Sequence, residues 1–375
     1  MTLESLTAVR VIAEFFVVHM HLRTFYPGQN GEGIFYVEDL MSLFFVLSGF
    51  VAMYTHPASV QAMPYYRKRY GKSYPTYVIC LLADLPGAYI FQHHCHGYEY
   101  LAVTQLLPIS PWLGSSHILI VNGVSWYMAT LFWLWLLFPL LHTPIRTICD
   151  KLNPWLVVTL VYASSLFACV LTARLYYQHI RALPALRMFE FIMGACSALT
   201  INTKTHWLAP LLALGGLILV WTTTKALDES HDPNICSLWP TRREWSWAHI
   251  VPASFVSRSA ITWTVLLHWL AHTEQTRPES RIIITLKNDL FKWLGTFSLQ
   301  LYLAHVVVAW LLFDISSLGG NPTFWTQDFL TIACYLICYL YSQTVQRLLD
   351  SWFVPTDYKT PDAVPAIDHS MVYSC

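Results

Sequence analysis

Residues 6–22 read LTAVRVIAEFFVVHMHL, and this stretch decides the fold. It is long and apolar enough to cross a bilayer as a helix, yet it carries Arg10, Glu14 and His21. A helix turns about 100° per residue, so Arg10 and His21 stand about three turns apart and only ~20° apart in azimuth. Glu14 lies within ~40° of the same line, and His19 falls ~180° away. A helix that only anchors a protein has no use for such a row. Ionisable groups are costly in hydrocarbon and usually face a bundle interior, a wet cavity or a reaction path. The structural alternative is an Arg10–Glu14 pair at i,i+4 with a histidine near the interface.

The rest of the composition suits the same environment. Of 375 residues, 55% are hydrophobic and 12% charged, and the mean hydropathy is +0.44. Soluble domains carry about 25% charged residues. Sixteen Trp and twenty-one Tyr fit two interfacial belts. A formal net charge of zero gives no footprint for nucleic acid. The first apolar segment is too long and too charged for a cleavable signal peptide and should remain as a span. Nine cysteines make no paired framework. Most of them sit in apolar segments, where a thiol behaves as a small apolar side chain.

Hydropathy places about ten spans of ~20 residues each, near 5–26, 36–55, 74–92, 124–141, 154–177, 183–201, 207–223, 254–272, 290–312 and 326–346. The third contains Asp84 and Pro86, and the eighth contains Arg258 and His268, which weakens both. The expected fold is therefore an all-α polytopic membrane protein, with about ten transmembrane helices in one bundle spanning residues 1–353. Residues 354–375 read as a disordered cytoplasmic tail. Chemistry must then be built from helices and short loops, because no hydrophilic stretch is long enough for a soluble catalytic domain.

Lys and Arg in the connections set the orientation. YYRKRYGKSYP after the second span carries Arg67, Lys68, Arg69 and Lys72; the 142–153 connection carries Arg146 and Lys151; the 273–289 connection carries Arg277, Arg281 and Lys287. These alternate connections fall on one side, which makes both termini cytoplasmic. The 93–123 loop on the other side has no Lys or Arg. It contains HHCHG at 93–97, but contiguous ligands rarely wrap one ion, so no metal site is expected. Cys95 and Cys236 both fall on the non-cytoplasmic side, where a disulfide persists. They are a candidate disulfide, against the alternative of two free thiols, and a bridge requires their Cα atoms within ~7 Å.

Several motifs recur in order along the chain. Arg10 and His21 are followed by FFVLSGF at 44–50 and by the basic stretch ending in Pro75 and Tyr77; LRMFEFIMGACSA follows at 186–198 and LGTFSLQLYLAH at 294–305. Alone, each is ordinary: FFVLSGF packs helices and the basic stretch marks topology. Together they resemble the membrane acyltransferase family 3, over roughly residues 3–345. The resemblance rests on Arg10, His21, Phe44, Phe45, Ser48, Arg187, Glu190, Phe191, Gly194, Gly295, Ser298, Tyr302 and His305. In the fourth span Trp126 and Pro139 match. Two departures stand out: Ser42 occupies the place of a common Asp before FFVLSGF, and Leu131 occupies the place of a common Glu in the fourth span.

The resemblance implies acyl transfer from acyl-CoA, a co-substrate rather than a bound cofactor, to a hydroxyl on a sugar, glycolipid or similar acceptor. Residue chemistry fits it. Arg67, Lys68, Arg69 and Lys72 suit the CoA phosphates at the cytoplasmic mouth, with Arg10 further in. His21, about 16 Å along the helix from Arg10, suits a general base at neutral pH, or a covalent acyl carrier. Glu14 would orient substrate or balance Arg10. Ser48 offers a donor to an oxyanion, or a packing hydroxyl. Phe44, Phe45, Trp126 and Tyr302 are candidate pocket residues. His305 is an acceptor-binding or structural imidazole, and Arg187 with Glu190 is a pair three residues apart, structural or acceptor-binding. The competing reading is a multi-pass exporter using the same stripe as its path; a scaffold that kept only the fold is the third. The membrane is a plasma membrane or, in a eukaryote, one of the secretory pathway.

Overall fold

The computed structural model describes residues 3–24, 37–92, 98–113, 121–176, 182–201, 209–229, 257–317 and 324–353. Cys95, Cys236, the 93–97 run and the 354–375 tail lie outside them. The described residues are helical, with no strand. In chain order the helices are α1 Glu4–Thr24, α2 Val37–Thr55, α3 Ala62–Gln92, α4 Tyr98–Leu106, α5 Ser110–Leu113, α6 Trp126–Lys151 and α7 Pro154–Tyr176. They continue with α8 Pro184–Ala198, α9 Ala209–Glu229, α10 Ala260–Thr276, α11 Arg281–Leu286, α12 Asp289–Gly295, α13 Ser298–Ser317 and α14 Phe324–Phe353. Among the described residues, two stretches, Glu4–Leu22 of α1 and Trp126–Lys151, are long and apolar enough to cross a membrane by length and composition.

The helices sort into two compact units. The first holds α1, α3 to α5, the start of α6 and α11 to α14; the second holds α2, the rest of α6 and α7 to α10. In the first unit, Val18 and Leu22 of α1 pack with Ala304, Val308 and Ala309 of α13 and with Cys334 and Cys338 of α14. Glu4 ties the opening turn of α1 to Lys292 at 3.3 Å.

Several segments depart from the sequence reading: residues 142–151 of the 142–153 connection continue α6, and the 93–123 loop holds α4 and α5. The basic stretch 65–75 is not a connection; it lies inside α3, a helix of 31 residues. Such a helix is about 46 Å long, and the basic stretch fills its first half. The ninth span is not continuous either. It breaks after Gly295, where the Thr296 and Phe297 amides turn back to the Trp293 and Leu294 carbonyls at 3.1 and 3.4 Å.

The second unit is built on the contact of α2 with α8. A Cβ on Gly49 would stand 1.9 Å from the Phe191 carbonyl oxygen, and one on Gly194 would stand 1.9 Å from that of Val46. Both obstacles are backbone, so only glycine lets these helices meet at this distance. Gly194→Ala is expected to cost about 1–3 kcal/mol by forcing the helices apart, read as a lower unfolding midpoint in detergent. Gly215→Ala, whose Cβ meets nothing within 4 Å, should leave the midpoint unchanged or slightly raised.

Candidate active site

The stripe on α1 keeps its inward face. Arg10 and Glu14 are each 5% exposed, whereas Phe15 on the other flank is 52% exposed and stacks on His19 with ring centroids 6.2 Å apart. Arg10 donates from Nη2 to the Gly295 carbonyl at 3.0 Å, so it straps α1 to the helix break. Thr7 and Arg10 can approach there because residue 295 lacks a Cβ, which would lie 2.6 Å from Thr7 Cγ2 and 3.3 Å from Arg10 Nη2. Arg10 also acts electrostatically on Glu14, and the Ser298 side chain and Tyr302 backbone lie near that carboxyl. Glu14 Oε1 has no hydrogen-bond partner among the described residues.

About two turns beyond Glu14, His21 meets His305 of α13. His21 Nδ1 lies 2.9 Å from His305 Nε2, and the rings meet edge to edge, with centroids 5.1 Å apart and 20° between planes. His305 Nδ1 lies 2.5 Å from the Tyr302 carbonyl oxygen. A carbonyl only accepts, so Nδ1 of His305 carries the hydrogen. With both rings neutral, His305 Nε2 is then an acceptor and His21 Nδ1 must donate to it. The relay therefore assigns the basic lone pair of His21 to Nε2. Tyr302 is itself held: its hydroxyl donates to the Val124 carbonyl at 3.1 Å, and its ring sits 5.5 Å from that of Tyr127. Cys334 lies 3.7 Å from the His305 carbonyl. Trp126, at the start of α6, is buried.

The cationic cluster splits by helical phase. Arg67 and Lys68 are exposed. Arg69 does not join them: it is 8% exposed and its guanidinium lies 5.6 Å from the Tyr65 ring and 5.7 Å from the Trp135 ring. Two residues along a helix is about 200° of rotation, which carries Arg69 to the inner flank, where cation–π contacts hold it. The Lys72 side chain lies outside the described set.

Phe44, Phe45, Ser48, Arg187 and Glu190 belong to the second unit, and all five are buried. Arg187 Nη1 reaches both Glu190 oxygens at 2.9 and 3.0 Å and lies 5.0 Å from the Phe45 ring. Ser42, in the place of the common Asp, donates to Glu190 Oε1 at 2.7 Å. Leu131, in the place of the common Glu, is fully buried in the first unit.

Sequence reasoning missed three residues. Asp39 pairs with Arg258 through two bonds, at 3.1 and 2.8 Å; a carboxylate at the start of α2, one turn before Ser42, was the signal. Asp84 and Asn122 meet at 2.5 Å in the first unit. Asp84 was visible as a charge in the third span, and Asn122 as a capping residue just before α6.

The site thus holds two imidazoles joined in a relay, with one basic nitrogen assigned, and a buried carboxyl, Glu14, on the same helix as His21. Comparison with known proteins identifies the family. The chain belongs to the family described as Acyltransferase domain, which matches residues 3–343, and it is an acyltransferase. It is 26% identical over 273 residues to Acyltransferase MdmB of Streptomyces mycarofaciens, covering 64% of this chain and 68% of that one. No solved structure matches.

Proposed function

We propose that this chain is a multi-pass membrane enzyme that moves an acyl group, the acetyl group first among them, from cytoplasmic acyl-CoA to a hydroxyl of a sugar, glycolipid or related acceptor. The observation that carries the reading is the relay from the Tyr302 carbonyl through His305 to His21. His21 Nε2 takes the proton from the acceptor hydroxyl as that oxygen attacks the thioester carbon. The new C–O bond forms, the C–S bond breaks, and the CoA thiolate leaves with the proton that Nε2 gives back. In the covalent variant Nε2 attacks the thioester carbon first, the C–S bond breaks and the CoA thiolate leaves; the acceptor oxygen then attacks the acyl carbon, the C–N bond breaks, and the hydroxyl proton passes to the freed imidazole and on to the thiolate.

Arg67, Lys68 and Lys72 hold the CoA phosphates, while Arg69 stays between its two rings. Glu14 orients substrate through Oε1. Phe44, Phe45, Ser48, Arg187 and Glu190 shape the second unit. The acyl-CoA is consumed as a co-substrate, and no cofactor is retained. About ten spans with cytoplasmic termini fit the lipid-facing flanks of several helices, where exposed apolar residues recur at helical spacing: Leu156, Leu160, Phe167 and Leu171 on α7, and Phe329, Ile332, Leu336 and Leu340 on α14.

Membranes bearing the protein, given acetyl-CoA labelled in the acetyl group, should pass label to an extractable hydroxyl-bearing product. Membranes lacking it should not. Movement of a small molecule across the membrane without acyl turnover would replace this reading with the exporter.

A further inference from the structure

We infer that Asn122, held by Asp84, is a positioning residue that clamps the α13 turn carrying the histidine relay; the inference rests on the role given to His21 above. Asn122 sits in the short segment 121–125 that leads into α6. Its Nδ2 donates to Asp84 Oδ2 at 2.5 Å and to the Leu303 carbonyl at 2.8 Å. Its Oδ1 accepts from the Val124 and Ser125 amides at 3.0 and 3.2 Å. An amide has two N–H donors and two good acceptor directions, and all four are used. The orientation is unambiguous, because a flipped amide would set its oxygen against a carboxylate and a carbonyl.

These bonds converge on one turn of one helix. Leu303 stands between Tyr302, whose carbonyl fixes the His305 ring, and His305 itself. The same segment grips that turn a second time, through the Tyr302 hydroxyl on the Val124 carbonyl. Asp84 of α3 gives the clamp its third anchor and is itself buried, as is Asn122. Three elements distant in sequence thus fix the backbone atom that selects the tautomer of His305, and through it that of His21. A catalytic group displaced by about 1 Å loses about 10²-fold in rate, so a clamp on this turn bears on turnover rather than on substrate capture.

The test is a double-mutant cycle on acetyl transfer from labelled acetyl-CoA, scaled to folded protein. Asn122→Ala should lower kcat by about 10- to 100-fold while KM for acetyl-CoA changes less than about two-fold. Asn122→Ser keeps a cap for α6, so it should fold and show the same kcat loss. Asp84→Asn, which still offers an oxygen to Asn122, should recover most of the rate that Asp84→Ala loses. In a His305→Ala background, Asn122→Ala should cost less than about two-fold more, because the group it acts through is gone. Full multiplicative loss in that background, or a change in KM with kcat intact, would overturn the clamp. So would unchanged kcat in the Asn122 variants beside an inactive His21→Ala. Full transfer by His21→Ala would instead remove the reading beneath it.

Discussion

His21→Ala is expected to lower acyl transfer by about 10²- to 10⁴-fold, the usual worth of a positioned general base, with KM for acetyl-CoA nearly unchanged. An acceptor hydroxyl is a weak nucleophile until a base takes its proton, and the relay leaves His21 Nε2 as the unprotonated ring nitrogen. Alanine removes that nitrogen but leaves the fold, since His21 is only half-buried and its flank is otherwise held by Val18 and Leu22. His305→Ala should be milder: the base survives but loses the acceptor that selects its tautomer. Initial rates at matched amounts of folded protein separate the two. Transfer by His21→Ala at the wild-type rate would reject the assignment.

Glu190→Ala is expected to destabilise the second unit by about 3–5 kcal/mol, the cost of leaving a buried partner's charge uncompensated. Arg187 and Glu190 are both fully buried, and alanine deletes both carboxylate bonds to the guanidinium as well as the acceptor of Ser42. The double change Arg187→Met with Glu190→Leu should recover most of the loss, because a buried pair replaced by apolar groups of similar volume is often neutral. Unfolding midpoints in detergent for the two single variants and the double decide this. A double variant as unstable as Glu190→Ala would show that the pair contributes more than mutual compensation.

The inward stripe of α1 was legible because helical period alone puts Arg10, Glu14 and His21 on one flank. The pairing of His21 with His305 was not. It joins residues 284 apart in sequence, and no local rule carries an imidazole across that separation. The run of cations in α3 read as one patch and as a loop, because polar residues with Gly71 and Pro75 look like a break. The chain instead continues as helix, and the same period that organised α1 sends Arg69 inward. The ninth span read as continuous because apolar residues run through the break; the Gly-Thr step at 295–296 was its only sign. Asp39 was passed over, and Asp84 was read only as a charge that weakened its span. Each is matched by a partner far along the chain, Arg258 and Asn122, which is how a buried carboxylate is made tolerable.

The most direct measurement is an experimental structure of the chain with an unreactive thioether analogue of acetyl-CoA. The account predicts the analogue's acyl carbonyl carbon beside His21, with about 3–3.5 Å left for an attacking oxygen that also reaches Nε2, and the CoA phosphates by Arg67 and Lys68. An analogue whose acyl end lies on the far flank of α1, or is walled off from His21 by packed side chains, would contradict it.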